Sequence, residues 1–179
     1  MSAPAVDLDW VTPQLAIGGR FPMEAAARIA GELGITRVVD VRSECCDDEE
    51  VLRRHGVVLL SLPTQDRCAV SQGMLDEGVR WVLAQLAAGH RVHIHCEYGI
   101  GRSALLALCV LVAGGTPPLE AMRLVKRARW KISPSPEQLG GFRTWVERQG
   151  LAAPPPEALF EIAYAHLRAG ELGTGTAMG

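Results

Sequence analysis

The chain has 179 residues, of which 48% are hydrophobic, and 18 Lys and Arg against 20 Asp and Glu leave a formal charge of −2. That length supports one domain with a core of its own, without disulfide or metal staples, and the near-neutral balance excludes capture of nucleic acid or membranes by bulk charge. The longest wholly apolar run, Ala104 to Ala113, falls well short of the roughly 20 residues needed to span a bilayer. Met-Ser-Ala-Pro at the start carries no export pattern, and five cysteines are an odd number at spacings that fit no zinc site. A cytosolic protein with reduced thiols is expected.

Leu15-Ala16-Ile17-Gly18-Gly19 reads as a short strand ending in a turn. Apolar residues at helical spacing predict a helix over 22–33, with Gly34 as its cap. The β-branched run Ile35 to Val41 reads as a buried strand, 47–55 as a short helix, and Val57 to Leu62 as a third strand ended by Pro63. Ser71 caps a long predicted helix over 71–88. A fourth strand, Arg91 to His95, runs straight into Cys96. Helices follow at 101–113 and 117–130, and another opens at Ser135-Pro136-Glu137-Gln138, where Ser135 and Gln138 suit a capping box. Strands alternating with helices imply an α/β fold, a central, largely parallel sheet flanked by helices. Residues 1–150 read as the catalytic domain. Residues 151–179, beyond Pro154-Pro155-Pro156, read as a C-terminal helix to about residue 169 and a Gly/Thr tail, the helix either docking on the domain or forming a dimer contact.

The segment His95-Cys96-Glu97-Tyr98-Gly99-Ile100-Gly101-Arg102-Ser103 carries the chemistry. Two glycines between a buried strand and an apolar helix permit a turn whose N–H groups form an anion nest, backed by the positive end of the helix. Five residues between Cys96 and Arg102 suffice to wrap a tetrahedral phosphate, and the Arg102 guanidinium closes the ring by binding two of its oxygens. The same setting favours a thiolate at Cys96, a nucleophile aimed at the phosphorus held in the loop. His95 is expected to order the loop through ring hydrogen bonds, and Ser103 to donate to the sulfur as it leaves.

This His-Cys-x-x-Gly-x-x-Arg-Ser pattern resembles the active-site motif of the cysteine-dependent protein tyrosine phosphatases, and the size and order of the chain resemble the dual-specificity branch. The likeness runs from about Trp10 to Gln149 and includes Leu15 to Gly19, Gly34 to Arg42 and the Gln138, Phe142, Trp145 helix. It implies a protein tyrosine phosphatase-like fold and a phosphomonoester hydrolase acting on phosphorylated proteins or small phosphomonoesters through a cysteinyl-phosphate, with no cofactor, metal, nucleic-acid or membrane partner. Glu97, Tyr98, Gly99, Ile100, Gly101 and Arg102 would bind the substrate phosphate. Tyr98 stands where the family often has a small residue. Neither Glu97 nor Ile100 is the lysine that inositol-lipid phosphatases tend to carry. A phosphatase of a non-protein substrate (an inositol phosphate or lipid, or an RNA 5′-triphosphate) and a non-catalytic phospho-binding module are the alternatives, and a rhodanese-like sulfurtransferase is argued against by the Cys-x5-Arg spacing.

Expulsion of the leaving oxygen needs a proton. In a parallel sheet the loops after the strands share one edge, which brings Asp66 toward Cys96. In dual-specificity phosphatases the acid typically sits about 30 residues before the cysteine, as Asp66 does here. Asp66 is therefore assigned as acid, then base, ahead of Asp40, which is expected to bind backbone amides, and Asp76, inside a helix. Arg42, Arg67 and Arg127 or Arg129 are candidates for the pocket rim. The acids Glu44 and Asp47 to Glu50 read as selective against acidic substrates or as a capped helix start. Cys68 is a candidate to form a protective disulfide with Cys96, and Cys109 reads as core.

Overall fold

In the computed structural model, which describes residues 4–168, β1 (Leu8–Trp10), β2 (Leu15–Gly18), β3 (Ile35–Arg42), β4 (Val58–Thr64) and β5 (Arg91–His95) form one sheet of order β1-β2-β5-β3-β4. β2, β5, β3 and β4 run parallel, while β1 pairs antiparallel with β2. Between and after the strands come α1 (Ala26–Gly31), α2 (Glu49–Arg54), α3 (Gln72–Ala87), α4 (Arg102–Ala113), α5 (Pro118–Ala128), α6 (Pro136–Arg148) and α7 (Pro156–Ala163).

Both faces of β3 are buried, which is why it reads as a near-continuous apolar run. Val39 and Val41 join the larger core formed with α3 to α7, whereas Ile35 and Val38 pack with Phe21, Ile29 and Leu52 on the other face. α4 is buried from Arg102 to Val112, as its all-round apolar sequence requires. Its start follows the central strand β5, so the Cys96 loop is held between two buried elements.

The Ser71 cap and the Ser135–Gln138 capping box form as read from the sequence. The strand predicted to stop at Pro63 instead continues to Thr64. β4 lies at the sheet edge, where a missing N–H costs no ladder bond. The stretch predicted as one helix over 22–33 opens as a 3-10 turn, Met23–Ala25, before α1. β1 gave no sequence signal: it is three residues long and is held by pairing with β2, by Leu8 and Trp10 packing on the core, and by the Asp9–Arg129 ion pair.

The C-terminal helix docks on the domain. Leu159 and Ala163 are fully buried, and the Lys126 ammonium donates to the carbonyls of Ile132 (3.0 Å) and Ala163 (2.7 Å) and lies 2.7 Å from His166 Nδ1. Burial lowers the Lys126 pKa to about 8. The helix also ends earlier than predicted. α7 stops at Ala163, and after a turn at Tyr164 residues 165–168 are helical again. The tail over 169–179 lies outside the described residues. Among the described residues no helix is long and apolar enough to cross a membrane.

Candidate active site

Parallel register brings the ends of β3, β4 and β5 together: Asp40 pairs with His95, and Arg42 with Thr64. The loops that follow these strands therefore meet at one edge, each supplying part of the site.

Cys96, the first residue past β5, is 3% exposed. Its Sγ accepts the N–H of Gly99 at 3.2 Å and lies 3.4 Å from the Ser103 hydroxyl. Gly99 has φ +67°, and a Cβ there would meet the Gly18 carbonyl carbon at 2.3 Å; one on Gly101 would meet Gln138 Oε1 at 2.5 Å. Gly99 is thus demanded by close approach to backbone and by its left-handed conformation, whereas a side chain at 101 would have to displace the end of Gln138. The carbonyls of residues 97–100 are all tied outside the loop. Arg20 N–H donates to Glu97 (3.0 Å), and Ser133 N–H to Ile100 (2.8 Å). Arg129 donates to Tyr98 (3.0 Å) and Gly99 (2.8 Å). Drawing the carbonyls away leaves loop N–H groups for an anion.

Arg102 is 1% exposed. Its Nη1 donates to Glu44 Oε2 and to the Thr64 carbonyl, each at 2.7 Å, and Nη2 donates to Glu44 Oε1 at 2.6 Å. Burial opposes the charge on this guanidinium, but the Glu44 hydrogen bonds and the charge of Cys96 outweigh it and raise its pKa. In turn the Arg102 hydrogen bonds lower the Glu44 pKa to about 2. Arg102 Nε is buried without a hydrogen-bond partner. A donor left unmet in this way costs about 1–3 kcal/mol, and an anionic oxygen would satisfy it.

His95 is held on both sides: Nδ1 lies 3.2 Å from the Cys96 carbonyl and Nε2 2.6 Å from Asp47 Oδ2. Asp40, as expected, accepts backbone amides, those of Arg42 and Asp47 at 3.0 Å each. Asp40, Asp47 and His95 have the donor types of a metal site, but the cation among them is Arg42, whose Nη2 is 2.9 Å from both carboxylates. Charge pairing within the cluster accounts for these residues.

Asp66 lies at the same edge, beside Arg102 and on the cleft that holds Cys96. Its side chain is 58% exposed, and Oδ1 lies 3.5 Å from Arg102 Nη2 and accepts the Arg67 N–H at 2.9 Å. Arg67 adopts φ +64°, and α6 braces this loop. Ser135 Oγ donates to the Arg67 carbonyl (2.7 Å) and Gln138 Nε2 to the Cys68 carbonyl (3.2 Å), so the capping-box residues also position the Asp66 loop. A cleft of about 450 Å³ joins Asp66, Arg67, Cys96, Tyr98, Ile100 and Tyr164. A larger groove, about 530 Å³, lies between α5 and α7 around Lys126 and Trp130, away from the sulfur.

Of the arginines proposed for the rim, only Arg67 lines this cleft. Arg42 is consumed by Asp40, Asp47 and Glu97. Arg127 pairs with Glu120. Arg129, 2% exposed, pairs with Asp7 and Asp9 and clamps the outside of the loop. The Glu97 carboxylate turns to Arg20 (3.1 Å) and Arg42 (3.2 Å). Asp76 is likewise occupied, accepting from Trp145 Nε1 and Arg148. Within the acidic run, Asp48 caps α2, while Glu44 and Asp47 serve Arg102 and His95. Sequence reasoning missed those two roles and that of Arg129. The available signal was the position of the acidic run, directly after a strand that ends at the site edge. All five cysteines are free, with Cys68 half-buried and Cys109 buried.

The chain belongs to the PTP-SAK family, described as a Swiss Army Knife protein, DSP-PTPase phosphatase domain, whose family model matches residues 6–138. It is 34% identical over 104 residues to dual specificity protein phosphatase 2 of Homo sapiens, covering 57% of this chain and 32% of that protein. It is 32% identical over 96 residues to phosphatidylglycerophosphatase and protein-tyrosine phosphatase 1 of Mus musculus, covering 52% and 50%. The chain thus spans between a third and a half of these relatives. The crystal structure of Tk-PTP in the active form superposes with a TM-score of 0.74 at 25% identity, over 79% of this chain and 97% of that one.

Proposed function

We propose that this domain hydrolyses phosphomonoesters, foremost on phosphorylated proteins, through a cysteinyl-phosphate intermediate. The observation that carries the reading is the buried, unpartnered Nε of Arg102, in a loop whose sulfur already accepts an N–H. An arginine whose far edge is fixed by Glu44 and whose Nε is unmet is set up to bind an oxyanion, and developing charge on phosphoryl oxygens strengthens that interaction.

Cys96 Sγ attacks phosphorus, forming the S–P bond as the ester P–O bond breaks, and Asp66 delivers its proton to the leaving oxygen. Asp66 then takes a proton from water, whose oxygen attacks phosphorus. The S–P bond breaks, its electron pair returns to sulfur, and the Gly99 N–H and Ser103 hydroxyl stabilise that charge. Inorganic phosphate is the product. His95, fixed by Asp47, holds the Cys96 main chain in place and touches no substrate. The name dual specificity protein phosphatase 2 supports a phosphoprotein substrate, while the second relative is named for both phosphatidylglycerophosphatase and protein-tyrosine phosphatase.

The test is steady-state hydrolysis of an aryl phosphate and an alkyl phosphate by wild type, Cys96→Ser and Asp66→Asn. Cys96→Ser should lose turnover while still binding vanadate. Asp66→Asn should slow the alkyl ester by about 10²–10⁴-fold and the activated aryl ester, whose leaving group needs little protonation, far less. Turnover by Cys96→Ser, or equal losses on both esters in Asp66→Asn, would overturn the assignment.

A further inference from the structure

The family match ends at residue 138, yet the cleft that holds Cys96 is completed by a residue well beyond it. Tyr164 lines this cleft together with Tyr98, Ile100 and Arg67. We propose that Tyr164, carried by the C-terminal helix, is a specificity-determining residue that selects phosphomonoesters of aromatic alcohols, the phosphotyrosine type, over those of aliphatic ones. The proposal rests on Cys96 being the phosphatase nucleophile and names the substrate class of that same site.

Three contacts hold the Tyr164 ring where a substrate would meet it. Its hydroxyl donates to the Pro134 carbonyl at 2.5 Å. The preceding residue, Ser133, donates its N–H to Ile100 of the catalytic loop at 2.8 Å, so the tyrosine is tied to the loop through two consecutive residues. The Phe160 ring packs against it with centroids 5.8 Å apart and planes at 22°. Finally, the carbonyl of Ala163, the residue before it, accepts from the buried Lys126 ammonium at 2.7 Å. A half-buried ring fixed at its tip, its face and its backbone loses little entropy on binding.

The chemistry of the lining sets the preference. Tyr98, 63% exposed, Ile100 and Tyr164 give the cleft that holds Cys96 two aromatic rings and a branched aliphatic group. A planar ring esterified to the bound phosphate would pack against these surfaces, whereas the single methylene of a phosphoserine side chain would not reach them.

The test uses the full chain and two peptides of one sequence, one with phosphotyrosine and one with phosphoserine. Variants are Tyr164→Ala, Tyr164→Leu and Tyr164→Phe, with inorganic phosphate as competitive inhibitor. In Tyr164→Ala the KM for the phosphotyrosine peptide should rise roughly three- to tenfold, the range one aromatic contact commands. Its kcat, the KM for phosphoserine and the Ki of phosphate should hold within about twofold. Tyr164→Phe keeps the ring but loses the Pro134 hydrogen bond, and its phosphotyrosine KM should rise less than that of either other variant. Tyr164→Leu keeps much of the apolar volume and should fall between, so it decides the matter if the alanine variant does not fold. An unchanged ratio of the two KM values overturns the proposal. So does a joint rise of both KM values and the phosphate Ki, which would mark Tyr164 as structural support alone. Absence of turnover by wild type would instead count against the phosphatase reading. In that case binding of the same two peptides to Cys96→Ser, with and without Tyr164→Leu, tests the selectivity directly, and an unchanged affinity ratio again refutes it.

Discussion

His93 offers a measurement in which burial is the largest influence. It sits in the middle of β5 with no exposed surface, its ring 5.9 Å from that of Phe21 and stacked 5.5 Å from that of His95, and neither ring nitrogen has a hydrogen-bond partner. Burial first, then the charge of His95, lowers its pKa from 6.5 to about 3; the main chain of Ala16, its neighbour on β2, pulls weakly the other way without completing a hydrogen bond. His93 is therefore neutral in the folded protein, while the unfolded chain takes up a proton below pH 6.5. Between pH 6.5 and pH 3 the unfolded state holds the extra proton, so stability falls as the pH falls, by about 1.4 kcal/mol per unit once well below 6.5. Going from pH 8 to pH 5 should cost about 2 kcal/mol through this residue, a sizeable part of the ~5–15 kcal/mol typical of a domain. His93→Leu removes the titration. Urea unfolding followed by tryptophan fluorescence at pH 5, 6, 7 and 8 should show the variant and wild type diverging below pH 6.5, the variant losing about 2 kcal/mol less. At pH 8 the variant should equal or exceed wild type, since it no longer buries unmet ring nitrogens. Parallel pH profiles would falsify the account of a neutral, desolvated ring.

Two further substitutions probe the loop. Glu44→Gln leaves the volume but removes the charge that fixes Arg102. It should lower kcat/KM by about ten- to hundredfold, the scale of a small misplacement of a catalytic group, with circular dichroism unchanged; wild-type kinetics would show that Arg102 needs no such brace. Because the Arg102 hydrogen bonds hold Glu44 near a pKa of 2, the pair is intact above pH 4.5 and fades only as the pH falls toward 2, so neutral-range pH profiles should not report it. Gly99→Ala forces a side chain into φ +67° and against the Gly18 backbone. It should destabilise the fold by at least about 2 kcal/mol, since left-handed backbone alone costs 1–2, and abolish activity; a stable, active variant would contradict the loop geometry.

Much of this site is local in the chain. The strand into Cys96, the two glycines, Arg102 at the helix start and Ser103 beside it are consecutive residues, and an anion nest is made by consecutive N–H groups, so pattern and chemistry coincide there. The placement of Asp66 near Cys96 was legible for a related reason: a parallel sheet puts the ends of β4 and β5 on one edge whatever the details. Pro63 misled because whether a strand lies at the edge or the centre of a sheet is a matter of neighbours, which a run of residues does not state. The arginines misled similarly. Arg42 and Arg129 carry charges that would suit a substrate, but each is taken by carboxylates, Arg42 by its chain neighbours Asp40 and Asp47 and by the distant Glu97, and Arg129 by Asp7 and Asp9 more than 100 residues away.

The sequence by itself determined a parallel α/β scaffold and a sulfur–guanidinium loop, because hydrophobic period, turn residues and a short phosphate-sized motif act over a few residues each. Tertiary structure alone decided which ion pairs hold that loop in shape, with Glu44 on Arg102, Asp47 on His95 and Arg129 on the outer carbonyls. It also decided that a C-terminal tyrosine closes the cleft. Those contacts join charges and rings from different elements, and only packing sets the distances over which such interactions act.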